Sequence, residues 1–236
     1  MAHDVLRDRR MKARFILELR YEPIVQAFDR RGEVLAVVHR SFKSKIEHWR
    51  IQNVEVTMAD DFNSPSKTIR VGHLRSSITY EDPDSRQEFL DDSLNFLALL
   101  RDVFPDGFED IKRIGFRSTS IMTYEEAASF EEAFKAVRAA YLCPELPLSI
   151  DFTDCSVTLE RDDTRLFIGP AKKGEEWVKN TFSRPEQNVP EYGIGIDVDC
   201  FARDLLCKDT NALKSAARTL QDLALRVEEE ALSGLT

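Results

Sequence analysis

Between Arg14 and Tyr21 the apolar residues Phe15, Leu17, Leu19 and Tyr21 alternate with Ile16, Glu18 and Arg20. A period of two places every second side chain on one face, so the pattern predicts a half-buried strand. Residues 23–47 admit a helix over about 33–46 or two extended runs turning at Arg30-Arg31-Gly32, and the helix is preferred. Trp49 to Met58 and Thr68 to Tyr80 are rich in β-branched and aromatic residues. They read as two strands, paired antiparallel across the Asp-, Asn-, Ser- and Pro-rich loop 60–66. From 85 to 103 the spacing changes. Phe89, Leu90, Leu94, Phe96, Leu97, Leu100 and Val103 line one helical face, with Asp84 or Ser85 as the cap and Phe104-Pro105-Asp106-Gly107 as the stop.

The second half repeats that order. Lys112 to Met122 reads as a strand, and Ser129-Phe-Glu-Glu132 is a capping box. The helix it opens carries Phe130, Phe134, Val137 and Tyr141, and Cys143-Pro-Glu-Leu-Pro147 breaks it. Residues 148–160 and 164–168 read as a hairpin about Arg161-Asp162-Asp163, and 171–191 as a long exposed excursion. A strand from Tyr192 to Phe201 and a helix over about 210–232, apolar at Leu213, Ala217, Leu220, Ala224, Val227 and Ala231, complete the pass. The expected fold is therefore α+β, an antiparallel sheet covered by helices. Two related strand-helix-strands-helix halves, about 14–105 and 111–234, are expected to pack as a single unit across 1–236, because no linker composition separates them.

Composition narrows the classes of function. The 236 residues are 42% hydrophobic and 32% charged, an ordinary globular balance. No apolar run approaches the ~20 residues of a membrane span, and residues 1–12 form a polar basic arm rather than a secretory signal, so a cytoplasmic location is expected. Cys143, Cys155, Cys200 and Cys207 lack zinc-ribbon or redox-pair spacing and read as structural thiols, two of them (Cys155 and Cys200) in strands. The net charge of −9 combines a basic amino-terminal stretch with an acidic remainder. On average such a body repels phosphates, so nucleic acid is not an expected partner and a membrane is not either.

Lys112-Arg-Ile-Gly-Phe-Arg117, the closing Ile194-Gly-Ile-Asp-Val-Asp-Cys200 run and the opening Leu17-Glu-Leu-Arg-Tyr21 occur in an informative order. Together they resemble a sporadically distributed bacterial family of uncharacterised proteins, with a mid-chain Arg-Ile-Gly-Leu-Arg-Tyr-Ile-Asn strand and a late Ile-Asp-Val strand. The chain departs from that pattern at Phe116 and at Ser118-Thr119-Ser120. The resemblance implies a bacterial source and assigns no activity.

Three groups of residues carry candidate chemistry. Asp197 and Asp199, two apart on a strand, share a face, and Asp151 and Asp154 lie on another strand of the same half. They are weak catalytic candidates for a metal-dependent phosphoester hydrolase, opposed by the reading that Asp197 and Asp199 are the wet side of an amphipathic strand. Arg113 and Arg117 also share a face, with Arg20 near them if the halves pair. They are candidates for holding a small anion, against plain ion pairing with Glu18 or Asp110. Asp91, Asp92 and Asp102 form the outer side of the 85–103 helix and are candidates for contact with a basic partner. No phosphate-binding glycine loop and no nucleophile elbow is present, so no cofactor is expected, and no metal site is expected because Asp197 and Asp199 lack a third ligand. The leading expectation is a non-enzymatic binding or assembly protein with a protein partner or a second copy of itself. The hydrolase and the small-anion sensor are its alternatives.

Overall fold

The computed structural model describes residues 10–105, 107–108, 110–123, 129–142, 154–206 and 209–235. Its strands are β1 (Arg10–Tyr21), β2 (His48–Gln52), β3 (Glu55–Ala59), β4 (Lys67–Val71), β5 (Arg75–Glu81), β6 (Asp110–Met122), β7 (Val157–Arg161), β8 (Thr164–Lys172) and β9 (Tyr192–Leu206). Its helices are α1 (Gln26–Asp29), α2 (Arg31–Phe42), α3 (Arg86–Val103), α4 (Phe130–Tyr141), α5 (Glu176–Thr181) and α6 (Thr210–Ser233). The strands form one antiparallel sheet in the order β2-β3-β4-β5-β1-β6-β9-β8-β7. The fold is α+β, as the alternating and helical patterns predict.

Contacts divide the chain into two compact units. The first joins Arg14–Arg117 to Cys200–Asp222, and the second joins Ser118–Asp199 to Leu223–Thr236 and the stretch up to Ala13. The unit boundaries fall inside β1, β6, β9 and α6, each of which gives residues to both.

In the first unit the odd positions of β1 are buried. Phe15, Leu17, Leu19 and Tyr21 are at most 3% exposed, and Ile69, Ile78 and Tyr80 continue the same side across β4 and β5. Helix α3 lies on that side: Phe89 meets Phe15, Tyr80 and Phe116 at ring separations of 5.5–6.0 Å. Ser85 caps the helix by accepting the Glu88 amide hydrogen. Helix α2 contributes Val34, Val38 and Phe42, all buried.

Two extended runs each resolve into a pair of strands. The predicted 49–58 strand folds at Asn53-Val54 into β2 and β3, with Gln52 opposite Glu55 and Asn53 at φ 51°. Asn is the non-glycine residue that best tolerates that conformation. The predicted 68–80 strand turns at Gly72-His73-Leu74, where the Gly72 amide donates to the Arg75 carbonyl and the Tyr21 hydroxyl donates to the Gly72 carbonyl.

In the second unit Ser129 caps α4 as its capping box predicts. The 171–191 segment is not an exposed excursion. It holds α5, and its Ala171, Val178, Phe182 and Val189 are buried with Ile121 while Trp177 packs against them. Trp177 stacks on Phe167 and lies against Gly195 of β9. The basic arm ends sooner than expected, since β1 starts at Arg10 and Lys12 is fully buried with its ammonium 5.4 Å from the centre of the Phe182 ring.

Candidate anion-binding site

Within the first unit's part of β1 the even positions point away from α2 and α3, so Glu18 and Arg20 lie on the opposite side of the sheet from Phe15 and Leu17. The Arg20 Nε donates to Glu18 Oε1 at 2.7 Å. Arg113 Nη1 donates to the same oxygen at 3.4 Å, which brings β6 beside β1 on this face. The Arg113 guanidinium also lies over the ring of Phe201 at 4.7 Å, and Arg203 lies over that ring at 4.9 Å. Gly115 makes room for this arrangement, because a Cβ there would stand 2.7 Å from Arg113 Nη1. Three guanidinium groups thus converge on one carboxylate and one aromatic ring, all within the first unit.

Of the predicted arginines, Arg20 and Arg113 come together. Arg117 is exposed on the same face but stands four residues on, ~13 Å along an extended strand. The expected ion pairing is present at Glu18, whereas Asp110 pairs with Lys112 instead. Arg203 and Phe201 were not legible in advance. Neither has a sequence signature, and only the β6–β9 adjacency places them beside Arg113.

The aspartates fall elsewhere. Asp197 accepts from the Thr119 hydroxyl at 2.8 Å, and Asp151 lies outside the described residues. Asp154 precedes β7. Among the described residues no three His, Cys, Asp or Glu side chains are grouped to hold a metal ion. Ser118 and Ser120 donate to Glu228, at 3.5 and 2.9 Å. Glu228 is a carboxylate only 1% exposed inside the apolar stripe of α6. The hydroxyls of Ser118, Thr119 and Ser120 therefore each serve a carboxylate. Cys200 is buried in β9, but Cys155 lies before β7 rather than in a strand. Burial and the nearby Asp154 push the Cys155 thiol up, away from thiolate reactivity.

The acidic helix face needs a correction. Asp91 and Asp102 are exposed, and Asp91 accepts from Gln87. Asp92 instead turns to the sheet, where it accepts from the Tyr80 hydroxyl at 2.8 Å and pairs with Lys45. Glu88, one turn earlier on α3, pairs with Lys45 at 3.1 Å and Lys67 at 2.9 Å. Asp92 is thus a member of a half-buried ionic network with Lys45, Glu88 and Lys67. Burial alone would raise the Glu88 carboxyl, but Lys67 and Lys45 outweigh it and hold the group below its ordinary value. At Asp60 burial is likewise outweighed, by the Ser66 hydroxyl and by the backbone N–H groups of Lys67, Asp61 and Ser66.

Both lowered carboxyls favour the folded state at neutral pH. Their contribution is complete above the unfolded carboxylate pKa of about 4 and is lost as pH falls through the lower folded-state values. Urea unfolding at stepped pH is expected to show stability declining below pH ~4, with a flatter profile for Glu88→Gln. Identical profiles for the two proteins would remove Glu88 from that role.

Among the described residues no helix is long and apolar enough to cross a membrane. No protein-family model matches the chain, and no curated protein matches it.

Proposed function

We propose that the protein is a cytoplasmic, non-enzymatic binding protein that takes an anionic ligand on the helix-free side of the sheet in its first unit. The observation that carries this reading is the convergence of Arg20, Arg113 and Arg203 on Glu18 and Phe201. Guanidinium groups present a planar fork that matches phosphate or carboxylate oxygens two at a time. Glu18 orients two of the three. Phe201 holds two guanidinium planes by cation–π attraction, which fixes their direction before a ligand arrives. The hydrolase alternative has less support, since Asp197 and Asp199 gain no third ligand among the described residues.

Calorimetric titration with tripolyphosphate tests the reading. Saturable binding is expected, weakened about tenfold by Arg203→Ala, the loss of one charge-assisted hydrogen bond of about 1.5 kcal/mol. Gly115→Ala is expected to weaken it as well with the fold intact, because the new methyl group meets the Arg113 guanidinium and no backbone. Undetectable binding, or binding indifferent to both substitutions, sinks the proposal.

A further inference from the structure

Resting on the anion-binding reading, we propose that the ligand is a single strand of nucleic acid laid across the strands of this face. The pairing register shows a row that one small anion does not need. Arg50 stands opposite Thr57, Thr57 opposite Arg70, Arg70 opposite Ser77, and Ser77 opposite Glu18. Glu18 meets Arg113, which meets Phe201. The row therefore crosses β2, β3, β4, β5, β1, β6 and β9 in their order in the sheet, a span of ~29 Å at ~4.8 Å per strand. Beside it Arg75 stands opposite Arg20. Arg50, Arg70, Arg75 and Arg203 are exposed, and among the described residues the side chains of Arg70 and Arg75 make no hydrogen bond or ion pair.

This concentration of arginine occurs on a chain whose net charge is −9. The average argues against a polyanion, and the averaging hides the face. Between the arginines stand Thr68, Ser77 and Thr79, half-buried and bearing hydroxyl donors, with Glu55 beside Thr57 as a further carboxylate on this face. Arginine with serine and threonine is the donor set that contacts a sugar-phosphate backbone. Flat guanidinium and aromatic groups, as at Arg113, Phe201 and Arg203, are surfaces on which an unpaired base stacks. An acidic peptide would use the guanidinium groups but would have no use for the stacking surface.

Fluorescence anisotropy of a labelled strand of about 20 nucleotides is the test. At low salt the full chain is expected to bind, with log affinity falling against log salt by roughly 0.7 per phosphate neutralised. Exchanging Arg70 and Arg75 together for glutamate is expected to cost at least about tenfold and to flatten that slope. Lys135→Glu, the same charge reversal on the exposed side of α4, is expected to change affinity little. Arg70→Gln with Arg75→Gln supplies a milder pair if the reversal disturbs folding. Absence of binding at low salt, parental affinity in both double variants, or equal displacement by polyglutamate of matched charge each overturns the inference, the last in favour of an acidic protein partner. If tripolyphosphate binding still depends on Arg203 in that event, the anion-binding reading stands and the nucleic acid falls alone.

Discussion

Replacing Phe89 by alanine is expected to cost about 3–5 kcal/mol, the range for emptying a buried aromatic site. Phe89 is 1% exposed and touches Phe15, Tyr80 and Phe116, so one ring ties α3 to β1, β5 and β6. The neighbours cannot close the gap easily, because each is itself a large ring held in a strand. With total stability of a domain near 5–15 kcal/mol, the variant stands close to unfolding at room temperature. Urea denaturation with the slope held fixed measures the loss. A cost below about 1 kcal/mol would mean that the α3 packing tolerates a cavity, contrary to the dense packing of protein cores.

The second large effect is expected at Gly193. A Cβ at this position would stand 2.3 Å from the Met122 carbonyl oxygen, and Pro190 closes another side at 3.2 Å. The obstructing atom is backbone at the end of β6, so it cannot swing away as a side chain would. Gly193→Ala is therefore expected to destabilise by at least the 1–3 kcal/mol typical of overpacking. Gly32→Ala supplies the contrast, since nothing lies within 4 Å of its Cβ and the position is helical. There alanine is expected to stabilise by about 0.5–1 kcal/mol. Thermal melts of the two variants against the parent separate the effects, and a Gly193→Ala melt equal to the parent's would show that β6 and β9 can move apart locally.

How far the sequence carried the structure depended on how local each signal was. Ser85 and Ser129 announced their helices because a cap and its amide lie within one turn, and both caps are present. The odd positions of β1 were legible because alternation needs only neighbours. The turn at Asn53 was not, since it is two residues long inside a continuous β-favouring run and carries one punctuating side chain. Segment 171–191 misled for the opposite reason. Its lysines, glutamates and prolines outnumber Ala171, Trp177, Val178, Phe182 and Val189, yet those five do the packing. At the candidate site Arg20 and Arg113 were visible as basic residues on strands, while Arg203 and Phe201 became meaningful only through strand order. The register that aligns Arg50 and Arg70 is likewise a product of pairing, which no local spacing encodes. Asp92 looked like its neighbour Asp91, and only the positions of Lys45 and Tyr80 on other elements distinguish the two.

The interleaving of the two compact units has a consequence for synthesis. The first unit needs residues up to Asp222, and the second needs residues from Leu223 onward. A nascent chain that has emerged as far as β6 therefore holds most of the first unit's sequence but lacks its β9 and α6 segments. Neither unit can form fully in the order in which the chain leaves the ribosome. Such distant pairings close large loops and fold slowly, so the emerging chain presents the β6 edge unpaired until β9 follows. The protein should accordingly depend on chaperones more than its length suggests, and fragments ending near residue 199 should accumulate as insoluble material rather than as a folded half.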